Sequence, residues 1–310
     1  MYIPDDRYVW DFWLIPHAGR YHLFHLQAPR GLLDPEMRHG LATVGHAVSE
    51  DLINWQYLGT ALGPGRPGEW DDRAIWTGSI IEKEGLFYML YTGTCRAENG
   101  KIQRIGLAVS RDLLHWERHP NNPVLEADMQ VYESAEESPF GELAWRDPYV
   151  IFYQGTFLAA ITARRNKGEL KKRGCIATAY SDDLVRWRVG PPLDVPGGFA
   201  QMEVPQIICY RKRYYLLFSA VADWIEDKAI PKLTGTFYAL ASHPLGPYSY
   251  PKPLLADPEG SFYAAKLIQT FEGTWVALAW VRIIDGKFVG GLSDPISVRF
   301  KANGEIEVEK

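Results

Sequence analysis

The chain has 310 residues, 46% of them apolar and 13% aromatic, and a formal net charge of −5. That composition can fill a large core and excludes a disordered chain, while the negative balance argues against a nucleic-acid surface. No apolar run reaches the ~18 residues a membrane helix needs, and the amino-terminal MYIPDDRYVWDFW lacks the basic-then-apolar order of a signal peptide. Cys95, Cys175 and Cys209 are odd in number and scattered, with neither metal spacing nor a disulfide framework, which predicts a reduced, cytoplasmic chain.

Taken in chain order, five segments share one form. They are GRYHLFHLQAP (19–29), GLFYMLYTGT (85–94), GTFLAAITAR (155–164), KRYYLLFSAV (212–221) and GTWVALAWVR (273–282). Each opens on a turn residue and runs into aromatic and apolar positions, the pattern of a buried strand entered through a hairpin. A second repeat is interleaved: SEDLINW (49–55), SRDLLHW (110–116), SDDLVRW (181–187) and a degenerate SHPLGPY (242–248). Serine and aspartate close tight turns by bonding nearby backbone N–H groups, so these boxes are read as structural turns at a sheet edge. Long amphipathic helical patterns are hard to find, which counts against a barrel of alternating strands and helices. Five units of about 62 residues exceed the ~40–45 of compact propeller blades and suit blades with longer loops. The expectation is an all-β, five-bladed β-propeller occupying residues 1–310 as a single domain.

Aligning the five units on the turn residues Gly19, Gly85, Gly155, Lys212 and Gly273 sets Asp11, Thr77, Asp147, Val204 and Ala265 at one position, with Glu203 one residue earlier in its unit. The surrounding segments are VWDFWLI, WTGSII, WRDPYVI, MEVPQII and FYAAKLI. An acid at the start of a buried strand is costly unless it is paired or functional. Acids from three blades converging on one channel end suggest the carboxylate set of a glycoside hydrolase, and Asp11, Asp147 and Glu203 are the catalytic candidates. Trp10, Phe12, Trp13, Trp76 and Trp145 crowd the same register, and rings can stack on the CH faces of sugars. Trp10, Trp13, Trp76 and Arg146 are therefore the candidate substrate-binding residues. No calcium-loop pattern is found, and His22, His25 and His46 read as packing residues, so neither metal nor cofactor is expected. The expected partner is a small carbohydrate, with no nucleic acid and no membrane.

At these residues the chain resembles the five-bladed glycoside hydrolases of families 32, 68 and 43. VGHAVSEDLINW (44–55) is similar to the Gly-His-Ala-Val-Ser box of family 32, WRDP (145–148) to its Arg-Asp-Pro motif, and MEVP (202–205) to its Glu-Cys-Pro motif. VWDFW departs from the usual Asn-Asp-Pro-Asn-Gly and is closer to family 68; Val204 replaces the cysteine; no carboxy-terminal β-sandwich fits the remaining residues. The resemblance implies a retaining β-fructofuranosidase, with Asp11 as nucleophile, Glu203 as general acid and base, and Asp147 binding sugar hydroxyls. YYLLFSA (214–220) and SHPLGPYSY (242–250) are similar to family 43, which leaves an inverting arabinosidase or xylosidase open, and a non-catalytic sugar-binding propeller is the third reading.

Overall fold

The computed structural model describes residues 1–309. Five antiparallel sheets follow one another along the chain, each with its first strand innermost; the first four are four-stranded meanders, and in the fifth Lys287–Leu292 and Ile296–Phe300 both pair with Trp275–Ile284. The inner strands are Arg7–His17, Ala74–Lys83, Trp145–Tyr153, Glu203–Tyr210 and Phe262–Gln269, in blades one to five. Consecutive inner strands contact each other, and the first also contacts the fifth, so they form a ring around a central channel. This is the expected five-bladed propeller.

The local sequence explains the hairpins. In blades one to four the inner strand turns back through two residues, Ala18-Gly19, Glu84-Gly85, Gln154-Gly155 and Arg211-Lys212, and both residues of every pair have positive φ. That is the type I′ geometry, whose twist matches the twist of the strands it joins. Blade five differs. Its inner strand pairs Gln269 with Trp275, so the connection spans Thr270 to Thr274.

The core is distributed as wedges between blades rather than gathered in one place. Phe87 and Met89 of blade two pack with Phe24 and Val44 of blade one. Phe157 and Ile161 meet Leu90 and Leu107, Phe218 and Phe237 meet Ala160 and Ile176, and Leu267 and Ala277 meet Tyr215 and Leu217. The ring closes where Phe12 and Leu23 meet Leu278 and Leu292. Each fully buried large side chain contributes roughly 1.5–3 kcal/mol, so every wedge is a substantial share of the fold's stability. The last joint is also laced by backbone: Tyr2 and Leu292 exchange N–H···O bonds of 2.9 Å in both directions. Arg30 reaches across to the carbonyls of Val289 and Gly290.

The serine–aspartate boxes behave as read. Ser49 Oγ accepts from the N–H groups of Asp51 and Leu52, Asp51 Oδ1 accepts from Ile53 and Asn54, and Trp55 Nε1 donates to the Leu52 carbonyl. The same set recurs around Ser110 and Asp112 and around Ser181 and Asp183. Each box joins the third strand of its blade to the fourth, at the outer edge.

Every inner strand carries a bulge at the same level: between Trp10 and Phe12, Trp76 and Gly78, Arg146 and Tyr149, Glu203 and Gln206, and Tyr263 and Lys266. A bulge sets two residues of one strand against one of its partner and re-aims their side chains. The pairing makes Trp10, Trp76, Arg146, Glu203 and Tyr263 equivalent, and then Asp11, Thr77, Asp147, Val204 and Ala264. The fifth-blade equivalent is thus Ala264 and not the expected Ala265, because the longer Thr270–Thr274 hairpin displaces the turn glycine used for alignment. Asp147, Val204 and Ala264 share positive φ values of 58°, 52° and 50°. In blade two Gly78 follows the bulge, and a Cβ there would lie 2.1 Å from the Leu90 carbonyl oxygen.

Candidate active site

The five bulges gather at one mouth of the channel, around a pocket of about 470 Å³. This lies within the usual size of a small-molecule site. Its walls are the residues just before each bulge, Trp10, Trp76, Arg146, Glu203 and Tyr263, and its floor includes Asp11, Thr77, Asp147 and Val204. The bulge accounts for both sets facing one cavity: a regular strand would send neighbouring side chains to opposite faces.

The three candidate acids are therefore together, in three different settings. Asp11 Oδ2 accepts a 2.7 Å bond from the Thr77 hydroxyl. Burial pushes its carboxyl up to about 7, with the charge of Asp147 adding to the rise and Thr77 opposing it. Asp147 is the deepest, its side chain only 4% exposed. Its Oδ2 accepts from the Thr162 hydroxyl at 2.9 Å and from the Val204 N–H at 3.1 Å. Burial raises its pKa, against the pull of Arg146. Glu203 is held at both oxygens: Arg146 Nη2 donates to Oε1 and the Tyr263 hydroxyl donates to Oε2, each at 2.6 Å.

Arg146 organises the wall. Beyond Glu203, its guanidinium bonds Gln201, the Gln103 side chain at 3.1 Å and Glu142 at 3.1 Å, and lies 3.7 Å from Asp147. Burial opposes its charge, but Glu142, Glu203 and Asp147 outweigh it and hold the cation. Trp76 donates through Nε1 to the His39 carbonyl at 2.8 Å, and the Trp10 ring meets His39 edge-on. Both indoles thereby pin the short 3₁₀ segment Pro35–Leu41, capped by Asp34, at the rim. The arrangement sets two acids beneath a third that is clamped by a cation and a phenol, between aromatic walls. Such a set can supply both a proton and a carboxylate to a molecule bound between them.

Of the expected sugar-binding residues, Trp10, Trp76 and Arg146 line this pocket and Trp13 does not. Its ring stacks on Phe24 in the wedge between blades and borders a second cavity at the other end of the channel. Trp13 stands two residues past Asp11, farther along the inner strand, where it pairs with Phe24 and lies toward the other mouth. Phe12 and Trp145 are likewise buried in the core. The residue overlooked in the sequence is Tyr263, whose equivalence with Glu203 follows only from the strand pairing. His22 and His46 form a buried pair joined at 3.0 Å, in keeping with a packing role.

Residues 13–289 match the Glycosyl hydrolases family 32 N-terminal domain. The chain belongs to glycosyl hydrolase family 32. The matched span begins two residues after Asp11 and takes in Asp147 and Glu203. Among curated relatives, an insoluble β-fructofuranosidase isoenzyme of Arabidopsis thaliana is 31% identical over 61% of this chain and 31% of its own length. Sucrose-6-phosphate hydrolase of Bacillus subtilis is 26% identical over 86% of this chain and 53% of its own. The chain thus spans about half or less of the length of these relatives. Among solved structures, an inulosucrase from Halalkalicoccus jeotgali, bound to kestose, superposes with a TM-score of 0.80 at 19% identity, covering 99% of this chain and 89% of that one. Family 43 propellers also share the fold, but membership of family 32 replaces the family 43 reading.

Proposed function

We propose that this chain hydrolyses β-fructofuranosidic bonds of sucrose or short fructo-oligosaccharides, with retention of configuration. The observation that carries the reading is the placement of Asp11, Asp147 and Glu203 around one pocket, with Glu203 alone held on the wall by Arg146 and Tyr263. In the first step Glu203 gives its proton to the leaving oxygen as Asp11 bonds to the anomeric carbon and the glycosidic bond breaks. In the second, Glu203 takes a proton from water as that water displaces the Asp11 carboxylate. Asp147, fixed by Thr162 and the Val204 N–H, accepts hydrogen bonds from ring hydroxyls. Trp10 and Trp76 supply flat apolar area for the sugar faces.

Turnover of sucrose, inulin and levan oligomers and nitrophenyl pentosides, with the product anomer followed by NMR, tests this. The reading requires fructoside cleavage with retained configuration and its loss in Asp11→Asn. Cleavage of pentosides alone, or an inverted first product, would overturn it.

A further inference from the structure

The inner strands carry a third equivalent set beyond the bulge. The strand pairing aligns Trp13, Ser79, Tyr149, Gln206 and Lys266, each two residues past its floor position. All five line the second cavity, of about 270 Å³, at the opposite mouth. Four are neutral. The fifth, Lys266, is only 5% exposed, yet it forms no salt bridge among the described residues. Its ammonium donates instead to the carbonyls of Val204, at 3.0 Å, and Pro205, at 2.9 Å. Those carbonyls belong to the blade-four bulge that follows Glu203. The Tyr149 ring lies 5.4 Å from its Nζ.

A lysine enters such a site at a large desolvation cost, and two neutral carbonyls offset only part of it. The negative floor immediately above, with Asp147 and Asp11, offsets more of it. Burial lowers Lys266 to about 8, and Asp147 and Asp11 act in the opposite direction and hold its proton. The effect is reciprocal, since Lys266 opposes the rise of Asp11. Facing Asp11 are Asp147 and Arg146 from blade three, Glu203 from blade four, Tyr263 from blade five and the Thr77 hydroxyl from blade two. Arg146 is already committed to Glu203, Glu142 and the edge of Asp147. Lys266 is a further cation beside this floor, and its charge favours the ionised form of Asp11.

We propose that Lys266 is a positioning residue: from behind the floor its ammonium keeps Asp11 ionised for nucleophilic attack while tying down the bulge that carries Glu203. This rests on the proposed reaction only for its kinetic consequence. The electrostatic part is testable without turnover.

Lys266→Gln retains an N–H donor for the carbonyls and removes the charge, and Lys266→Met removes both. The acidic limb of the kcat/KM profile should move to higher pH by about one unit in both variants, and at pH 9 Lys266→Gln should regain activity to within a few-fold of the parent. An acidic limb that does not move, or a loss equal at every pH, overturns the proposal. The stability cycle stands apart from catalysis. The gain in melting temperature from Asp11→Asn at pH 8 should be larger in the Lys266→Gln background than in the parent, because an ionised Asp11 has then lost its cation. Equal gains in the two backgrounds overturn the electrostatic coupling even in a chain that cleaves no fructoside. A missing activity with unequal gains counts against the proposed reaction alone.

Discussion

The outer edge and the inner ring of this propeller repeat in opposite ways. At the outer edge the side chains recur: Ser49 with Asp51, Ser110 with Asp112 and Ser181 with Asp183 make the same bonds in three blades. At the inner ring the backbone recurs in all five blades, as a bulge at one level, and the side chains on it diverge. One level presents two tryptophans, an arginine, a glutamate and a tyrosine; the next presents two aspartates, a threonine, a valine and an alanine. Repetition of residues marks a structural task. Repetition of backbone under differing residues marks a place where five equivalent positions have been given different chemical tasks.

This contrast is exposed to experiment, with the largest effect at the ring. Glu203→Gln should lower fructoside turnover by roughly 10²–10⁴-fold with little change in melting temperature. An unchanged rate would remove Glu203 from the proton transfers. Asp11→Asn should abolish turnover and also stabilise the fold. The folded carboxyl titrates near 7 against an ordinary 3.8, so the folded chain holds a proton that the unfolded chain has released. Stability therefore falls as pH rises from about 4 through 7, and the asparagine variant should gain on the order of a few kcal/mol at pH 8 and almost nothing at pH 4. Urea unfolding at the two pH values measures both; a gain of equal size at each would contradict the assignment. At the outer edge, Asp112→Ala should cost about 1 kcal/mol, the usual worth of a side chain that satisfies free backbone N–H groups, and leave kcat/KM unchanged. Any kinetic effect there would blur the division. Smallest of all, Lys212→Gly relieves a non-glycine residue at φ 63° in the blade-four hairpin. It should raise stability by no more than about 1 kcal/mol.

Much of this was readable in the sequence because both repeats leave local marks. Turn residues before aromatic runs gave the blades, and an acid heading an apolar run is conspicuous at Asp11, Asp147 and Glu203. The failures share a cause, in that pairing across strands leaves no mark within one segment. Trp13 is near Trp10 and Asp11 in sequence, yet it lies farther along the inner strand, paired with Phe24 and toward the other mouth. Counting back from Gly273 misplaces the blade-five equivalents by one, since hairpin length is set by pairing across strands. Tyr263 and Lys266, both in FYAAKLI, carry no local mark for the same reason. Their roles depend on Glu203 and the blade-four bulge, some 60 residues away in sequence, and only the ring brings them near.

The joint between blades one and five also orders events during synthesis. The nucleophile candidate Asp11 belongs to blade one, whereas Tyr263, Lys266 and the Leu292 that pairs with Tyr2 belong to blade five, made some 250 residues later. Until blade five has left the ribosome, the inner strand of blade one lacks a neighbour on one side, and Phe12 and Leu23 have no surface to close against. The pocket is then an open arc with its carboxylates apart. The site is complete only once blade five has packed against blade one, and until then Phe12 and Leu23 leave an apolar edge unsealed.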